Sequence, residues 1–348
     1  MTAGNTAFRI LITNDLYDGF RKELHEKGGP AFEWIRIDFD DKPANFLELL
    51  ADADVLVSRY DLTGEEFAAA RRLKLFQLPI AGYNQIDLDR LARLGIPLAN
   101  NAGANAVSVA EHFFLMVLAL YRHVFHHQAT VLDGSWVNLK HQNTEMFGKT
   151  VGIVGLGCVG RQVASRCLAF GMKVEYYDIR YGMAGFEAVD GAEFRPLEEL
   201  ARNADILTFH VPLTRATSKM IDERLLSWMR PHAILVNLSR GEIQDEAAME
   251  RALREGRLAG VAVDVFADEP PDPSLPLLAF GRPVRESRQV LGKPAAVDVV
   301  RAVFSPHCGP SAETRLRVID LVVENIRRVH DGLAPLARVI DYEKLSLR

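Results

Sequence analysis

The stretch from Thr150 to Gly160 restricts the fold most. An apolar, β-branched run passes directly into Gly155-Leu-Gly157-Cys-Val-Gly160, and a helical pattern follows at once. In a β–turn–α unit of this kind the first glycine permits the tight turn and the second lets the backbone approach a pyrophosphate. The third lets helix and strand pack closely, while the helix N-terminus attracts the anion through its unpaired amides. The next apolar run, Lys173 to Tyr177, ends at Asp178, roughly 20 residues beyond the loop, where such units place the acid that binds the ribose hydroxyls. A carboxylate there repels a 2′-phosphate, so NAD is expected in preference to NADP. The neighbouring Arg180 works against that preference.

Around this unit, short β-branched runs alternate with helical patterns. Phe8–Ile12, Trp34–Ile37, Val55–Val57 and Leu75–Leu78 form a first series, with helices expected from Leu16 and Thr63. Thr150–Val154, Lys173–Tyr177, Ile206–Phe209, Ala233–Val236, Leu258–Val263 and Ala302–Phe304 form a second. Such alternation predicts parallel sheets covered by helices. At 348 residues the chain exceeds what one core usually organises. The expected fold is α/β, with two Rossmann-like doubly wound parallel-sheet domains and a cleft between them. Residues 1–104 plus 310–348 are expected to form a flavodoxin-like, substrate-binding domain, and residues 105–309 the NAD-binding domain. Asn105 to His127 reads as one long helix linking them. The proline-rich segment between Glu269 and Arg301, which carries Arg282, Arg285, Arg288 and Lys293, reads as a solvated surface loop.

A net charge of −5 with scattered basic residues gives no footprint for nucleic acid. The longest apolar run, Phe113 to Tyr121, is too short to span a bilayer. Met1 to Asn14 lacks the basic and apolar regions of an export signal, and Cys158, Cys167 and Cys308 have no metal-type spacing. A cytoplasmic protein without membrane, nucleic-acid or metal partners is expected. His123, His126 and His127 read as a solvated helix face.

Three further segments end apolar strands with reactive side chains: Val236-Asn-Leu-Ser-Arg240-Gly, Val263-Asp-Val-Phe-Ala-Asp-Glu269-Pro and Phe304-Ser-Pro-His307. Ligands gather at the carboxyl ends of strands in doubly wound sheets. Oxidising a 2-hydroxy acid needs a cation for the carboxylate, a base for the hydroxyl proton and a hydride acceptor. Arg240, His307 and NAD have these chemistries, since a guanidinium forks onto a carboxylate and an imidazole titrates near neutrality. Together with the glycine loop and in this order, the segments closely resemble the D-2-hydroxyacid dehydrogenase family over nearly the whole chain.

The resemblance implies hydride transfer between NAD(H) and a small D-2-hydroxy or 2-keto acid. Its catalytic residues would be Arg240, Glu269 and His307, with Glu269 orienting the imidazole. The dinucleotide would lie along Gly155, Gly157, Cys158, Val159, Gly160 and Asp178. His210, Val211, Pro212, Thr217, Leu238, Ser239 and Asp264 would line its ribose and nicotinamide. Ala81-Gly82 and Asn105 resemble the family's substrate loop and the start of its linking helix, and Arg59 is a further substrate-binding candidate. A homodimer joined through the region from the linking helix to Ser135-Trp136 is implied as well. Ile80 and Cys308-Gly-Pro310 depart from the family pattern, which predicts an unusual pocket. Two other activities fit parts of the pattern. Asn105-x-x-Ser-x-Ala-Glu-His112 resembles the formate dehydrogenase branch, which carries glutamine where Glu269 stands here. An NAD-sensing corepressor branch keeps the same trio.

Overall fold

The computed structural model describes residues 7–13, 16, 17, 19–136, 143–282, 284–290 and 293–339. The described residues up to Asn105 and from Ser311 to Val339 form one compact unit, and Ala106–Pro310 form another.

In the first unit β1 (Arg9–Thr13), β2 (Glu33–Ile37), β3 (Val55–Val57), β4 (Leu75–Gln77) and β5 (Leu98–Ala99) make a parallel sheet in the order β2-β1-β3-β4-β5. This is the flavodoxin-like order of a doubly wound sheet. The C-terminal helix Ala312–His330 carries Val318, Ile319, Val322, Val323 and Ile326 as a helical-period stripe, buried with Ile10, Ile12, Val55 and Val57. Its Asn325 is fully buried and donates to Gln77 Oε1 on β4 at 2.7 Å. It also accepts from the Leu336 amide at 2.6 Å, tying down the chain beyond the helix.

The second unit contains β6 (Thr150–Val154), β7 (Lys173–Tyr177), β8 (Ala192–Phe194), β9 (Ile206–Phe209), β10 (Ile234–Asn237) and β11 (Gly260–Val263). After them come β12 (Val284–Val290), β13 (Lys293–Val299) and β14 (Ala302–Phe304). Seven of these form a parallel sheet in the order β14-β11-β10-β9-β6-β7-β8. β9, β10 and β11 are buried at every position, as strands covered on both faces must be. The order reverses between β6 and β9, and that crevice receives the ligand in sheets of this class.

Three sequence expectations need correction, and the first is that His126 is buried rather than part of a solvated helix face. The stretch expected as one helix is two, Ala106–Tyr121 and Val124–Leu132, bent by 61°. The carbonyl of Tyr121 accepts the amide of Thr144 at 2.9 Å, and His123 takes a left-handed φ of 49°. The helical ladder therefore cannot run on past Tyr121. The segment expected as a loop holds an antiparallel hairpin, with Val284 opposite Val299 and Val290 opposite Lys293. It is rooted where the Arg301 amide meets the Phe280 carbonyl at 3.0 Å, before β14 begins. The hairpin thus springs from the sheet end opposite Ser305–His307. Among the described residues no single helix is long and apolar enough to cross a membrane.

Candidate active site

Every group in the second unit that the sequence marks sits at or just beyond a strand's carboxyl end. β6 turns at Gly155, whose φ of 94° is left-handed and whose added Cβ would lie 2.6 Å from the His210 carbonyl. Its amide meets the Tyr177 carbonyl at 2.8 Å. A Cβ on Gly160 would lie 2.1 Å from the Gly155 carbonyl oxygen, so the helix Cys158–Ala169 is seated against the turn as only glycine allows. Around Gly157 there is open space, and no side chain caps the helix it begins. The amides of Cys158, Val159 and Gly160 thus open an uncapped helix N-terminus, the arrangement that binds a pyrophosphate.

Asp178, nearly buried at the end of β7, braces this loop. One carboxylate oxygen accepts the Leu156 amide at 2.9 Å and the other accepts the Arg180 amide at 2.8 Å, while the Arg180 guanidinium pairs with both at 3.2 Å. Beyond β9, Val211 packs toward Gly155, and the Thr217 hydroxyl donates to the Pro212 carbonyl at 2.7 Å, fixing the loop between them. The His210 ring lies 3.0 Å from the Thr208 hydroxyl and edge-on to Phe113. Burial there pushes its pKa down to about 3, so the ring is neutral.

Beyond β10, Leu238 is buried, and Ser239 donates its amide and hydroxyl to Asn237 Oδ1 at 3.1 and 2.8 Å. Asn237 in turn donates to the Arg240 carbonyl and to Gln244 Oε1, both at 2.9 Å. The half-buried Arg240 also reaches the Ser239 carbonyl at 2.6 Å. A Cβ on Gly241 would lie 1.9 Å from the Phe266 carbonyl carbon, so the loops after β10 and β11 pack backbone on backbone. Buried Gln244 locks the same two loops by donating to the Val265 carbonyl at 3.0 Å.

Glu269 and His307 come together. His307 Nδ1 lies 2.8 Å from Glu269 Oε2, and Glu269 Oε1 accepts the Phe266 amide at 3.1 Å. Because the carboxylate accepts, the Nδ1 hydrogen points to it and Nε2 is the nitrogen turned to chemistry. His307 holds a left-handed φ of 51°, with its amide on the Asp264 carbonyl at 2.7 Å. Asp264 is 2% exposed. Burial acts to raise its pKa, but hydrogen bonds from His112, Ser305 and the Cys308 amide outweigh burial and hold the carboxyl below its ordinary range. Ser305 Oγ lies 2.5 Å from Asp264 Oδ1 and 2.9 Å from His112 Nε2, and the Gly309 amide reaches Oδ2 at 3.2 Å. Sequence reasoning did not single out His112, Ser305 or Gln244. His112 and Ser305 stood inside quoted motifs without a role of their own, because they meet each other and Asp264 from far away in sequence, and Gln244 joins nearby Asn237 to distant Val265.

The remaining residues belong to the first unit. Arg59 and Ala81-Gly82 follow β3 and β4 at the carboxyl edge of that sheet. Arg59 is exposed, stacks over Tyr60 at 4.9 Å and donates to its hydroxyl at 2.6 Å, while its carbonyl accepts from Gln85 at 3.0 Å. The Ala81 carbonyl accepts from Asn100 at 2.6 Å. Asn105 immediately precedes the helix Ala106–Tyr121.

Residues 114–289 match the family model described as "D-isomer specific 2-hydroxyacid dehydrogenase, NAD binding domain". The chain is 33% identical over 341 residues to a glyoxylate reductase of Korarchaeum cryptofilum, covering 94% of this chain and 96% of that protein. It is 37% identical over 353 residues to a glyoxylate reductase of Aeropyrum pernix, covering 98% of each. Among solved structures, an NAD-dependent formate dehydrogenase of Staphylococcus aureus, in complex with NAD, superposes with a TM-score of 0.69 at 25% identity, over 96% of this chain and 99% of that one. The chain is thus a member of the D-isomer-specific 2-hydroxyacid dehydrogenase family, an NAD-dependent oxidoreductase acting on CH–OH groups.

Proposed function

We propose that this enzyme interconverts a small 2-keto acid and its D-2-hydroxy acid, and that glyoxylate-sized keto acids are its substrates. The observation that carries the reading is the His307–Glu269 contact at 2.8 Å, set beside Asp264 and beyond the same sheet edge as Arg240. NADH, when bound, supplies the hydride. His307 Nε2 donates a proton to the carbonyl oxygen as that oxygen gains charge, and takes it back in the oxidation direction. Glu269 fixes the tautomer and the orientation of the ring. Arg240 pairs with the substrate carboxylate and polarises the adjacent carbonyl, a task suited to a planar guanidinium. The amides of Ala81 and Gly82, with Arg59 and Asn105, are the first unit's candidates for holding the substrate.

On this reading the amides of Cys158, Val159 and Gly160 hold the pyrophosphate, and Asp178 faces the adenine ribose. His210, Val211, Pro212, Thr217, Leu238, Ser239 and Asp264 line the rest of the dinucleotide. The names of the glyoxylate reductase relatives support the small substrate. Formate oxidation also belongs to this fold, but it removes no hydroxyl proton, and a carboxylate held against the imidazole serves proton transfer. We further propose a homodimer. Val131, Leu132, Trp136 and Phe147 are each more than half exposed, and exposed large apolar side chains in the region the resemblance assigns to the contact support this reading. The three unpaired cysteines fit a reducing compartment such as the cytoplasm.

The test is consumption of NADH with glyoxylate, hydroxypyruvate, pyruvate, phenylpyruvate and longer 2-keto acids, and reduction of NAD with formate. The reading expects turnover to favour the small keto acids. Turnover with formate alone, or NADH binding without any turnover, overturns it.

A further inference from the structure

Three donors of different chemistry converge beside the reactive histidine. His112 comes from the helix Ala106–Tyr121, Asp264 from the end of β11, and Cys308 from the loop after β14. His112 Nε2, an Asp264 oxygen and Cys308 Sγ all lie within 4.8 Å of one another. His112 Nε2 and Asp264 Oδ1 are already 3.4 Å apart. In a tetrahedral zinc site, ligand atoms about 2.0 to 2.3 Å from the ion stand about 3.3 to 3.8 Å from each other. The nitrogen–oxygen edge therefore has the required length, and the sulfur, within 4.8 Å of both, lies close enough to complete the set by a side-chain rotation. Cys308 is exposed, so its side chain has room to turn.

The surroundings suit first-row cations of borderline softness. Asp264 Oδ1 accepts the Cys308 amide at 3.0 Å and Oδ2 the Gly309 amide at 3.2 Å, which fixes the carboxylate as outer partners fix metal ligands. The set of imidazole, carboxylate and thiolate leaves a fourth position to water. The Ser305 hydroxyl, 2.5 Å from Asp264 Oδ1 and 2.9 Å from His112 Nε2, bridges two of the three donors and must turn aside to admit the ion.

We propose that His112, Asp264 and Cys308 form an inhibitory zinc site. Binding replaces the thiol proton of Cys308 with the ion and releases that proton to water. The imidazole binds neutral and no group is oxidised or reduced. Asp264 is then unavailable to the nicotinamide pocket, so zinc and NADH exclude each other. This last step rests on the placement of Asp264 under the proposed function, whereas the ion site itself does not.

Cobalt(II) added to the NADH-free protein reads the site directly. The expected result is one tetrahedral cobalt per chain with a thiolate-to-cobalt charge-transfer band. Cys308→Ser should abolish that band, and His112→Gln should weaken cobalt binding at least tenfold. In parallel, zinc should inhibit keto-acid reduction competitively with NADH and reversibly with EDTA. Cys308→Ser should need at least tenfold more zinc for half inhibition, measured against that variant's own zinc-free rate. Absence of the charge-transfer band, or a band that survives in Cys308→Ser, overturns the site. A band with the expected variant pattern but no competition with NADH overturns the exclusion step and the placement of Asp264, and leaves the ion site standing.

Discussion

Two glycines of one loop should fail in different ways. Gly157 has open space where a Cβ would go, and its φ of −78° and ψ of −160° suit alanine. In Gly157→Ala, the loss of a good N-cap residue is offset by lower chain entropy in the unfolded state, so stability should change by no more than about 0.5 kcal/mol. The methyl group would nevertheless stand where the pyrophosphate meets the backbone, so NADH should bind at least tenfold more weakly, a loss of about 1.4 kcal/mol or more. In Gly160→Ala the new Cβ would lie 2.1 Å from the Gly155 carbonyl oxygen, and the obstacle is backbone. Helix and turn must separate by roughly 1 Å, an overpacking cost of about 1 to 3 kcal/mol. At about 2 to 4 °C per kcal/mol, that lowers Tm by roughly 2 to 12 °C. Gly160→Ala should therefore lose NADH binding and stability together, and Gly157→Ala only binding. Fluorescence titration with NADH and thermal denaturation without cofactor measure the two quantities. Gly157→Ala binding NADH within about twofold of wild type would refute the assignment of this loop to the pyrophosphate.

The pH dependence of stability should carry a signature of His210. Burial holds its pKa at about 3, so below about 6.5 the unfolded chain binds a proton that the folded chain does not. Stability from this group is complete above about pH 6.5 and falls by about 1.4 kcal/mol per pH unit toward the folded value, or up to about 3 kcal/mol by pH 4.5. His210→Asn should lose less Tm than wild type between pH 7 and 4.5, and equal losses would count against the buried neutral ring. Gly241→Ala drives a Cβ to within 1.9 Å of the Phe266 carbonyl carbon, so it should separate the loops bearing Arg240 and Glu269. Keto-acid turnover should fall by at least tenfold, and retention of wild-type kcat would exclude that coupling.

Most of the sheet was legible because its strands are apolar runs bounded by polar turns. β5 was not, being two residues long, and neither was β8, whose three residues are half-buried or exposed. Both are too short for an alternation to register. The break at His123 is set by Thr144 reaching back to Tyr121, a contact with no local signal. The hairpin after Pro276 was hidden by its prolines and charges, although Pro294 stands next to the start of an edge strand, where its missing amide costs least. In the site, strand-end motifs pointed to Arg240, Glu269 and His307. The packing around Asp264 is different in kind, because His112 and Ser305 reach it from elsewhere in the chain and no spacing rule records such a meeting. The role of Gln244 in joining two loops was invisible for the same reason.

If His307 moves the proton while the dinucleotide binds independently of it, losing the imidazole must slow turnover and leave NADH binding intact. The measurement is NADH consumption with the preferred keto acid by wild type and His307→Ala, with the NADH Kd determined for both. The expected result is a kcat lower by about 10² to 10⁴ and a Kd changed by less than about twofold. A His307→Ala enzyme that turns over within tenfold of wild type would contradict it.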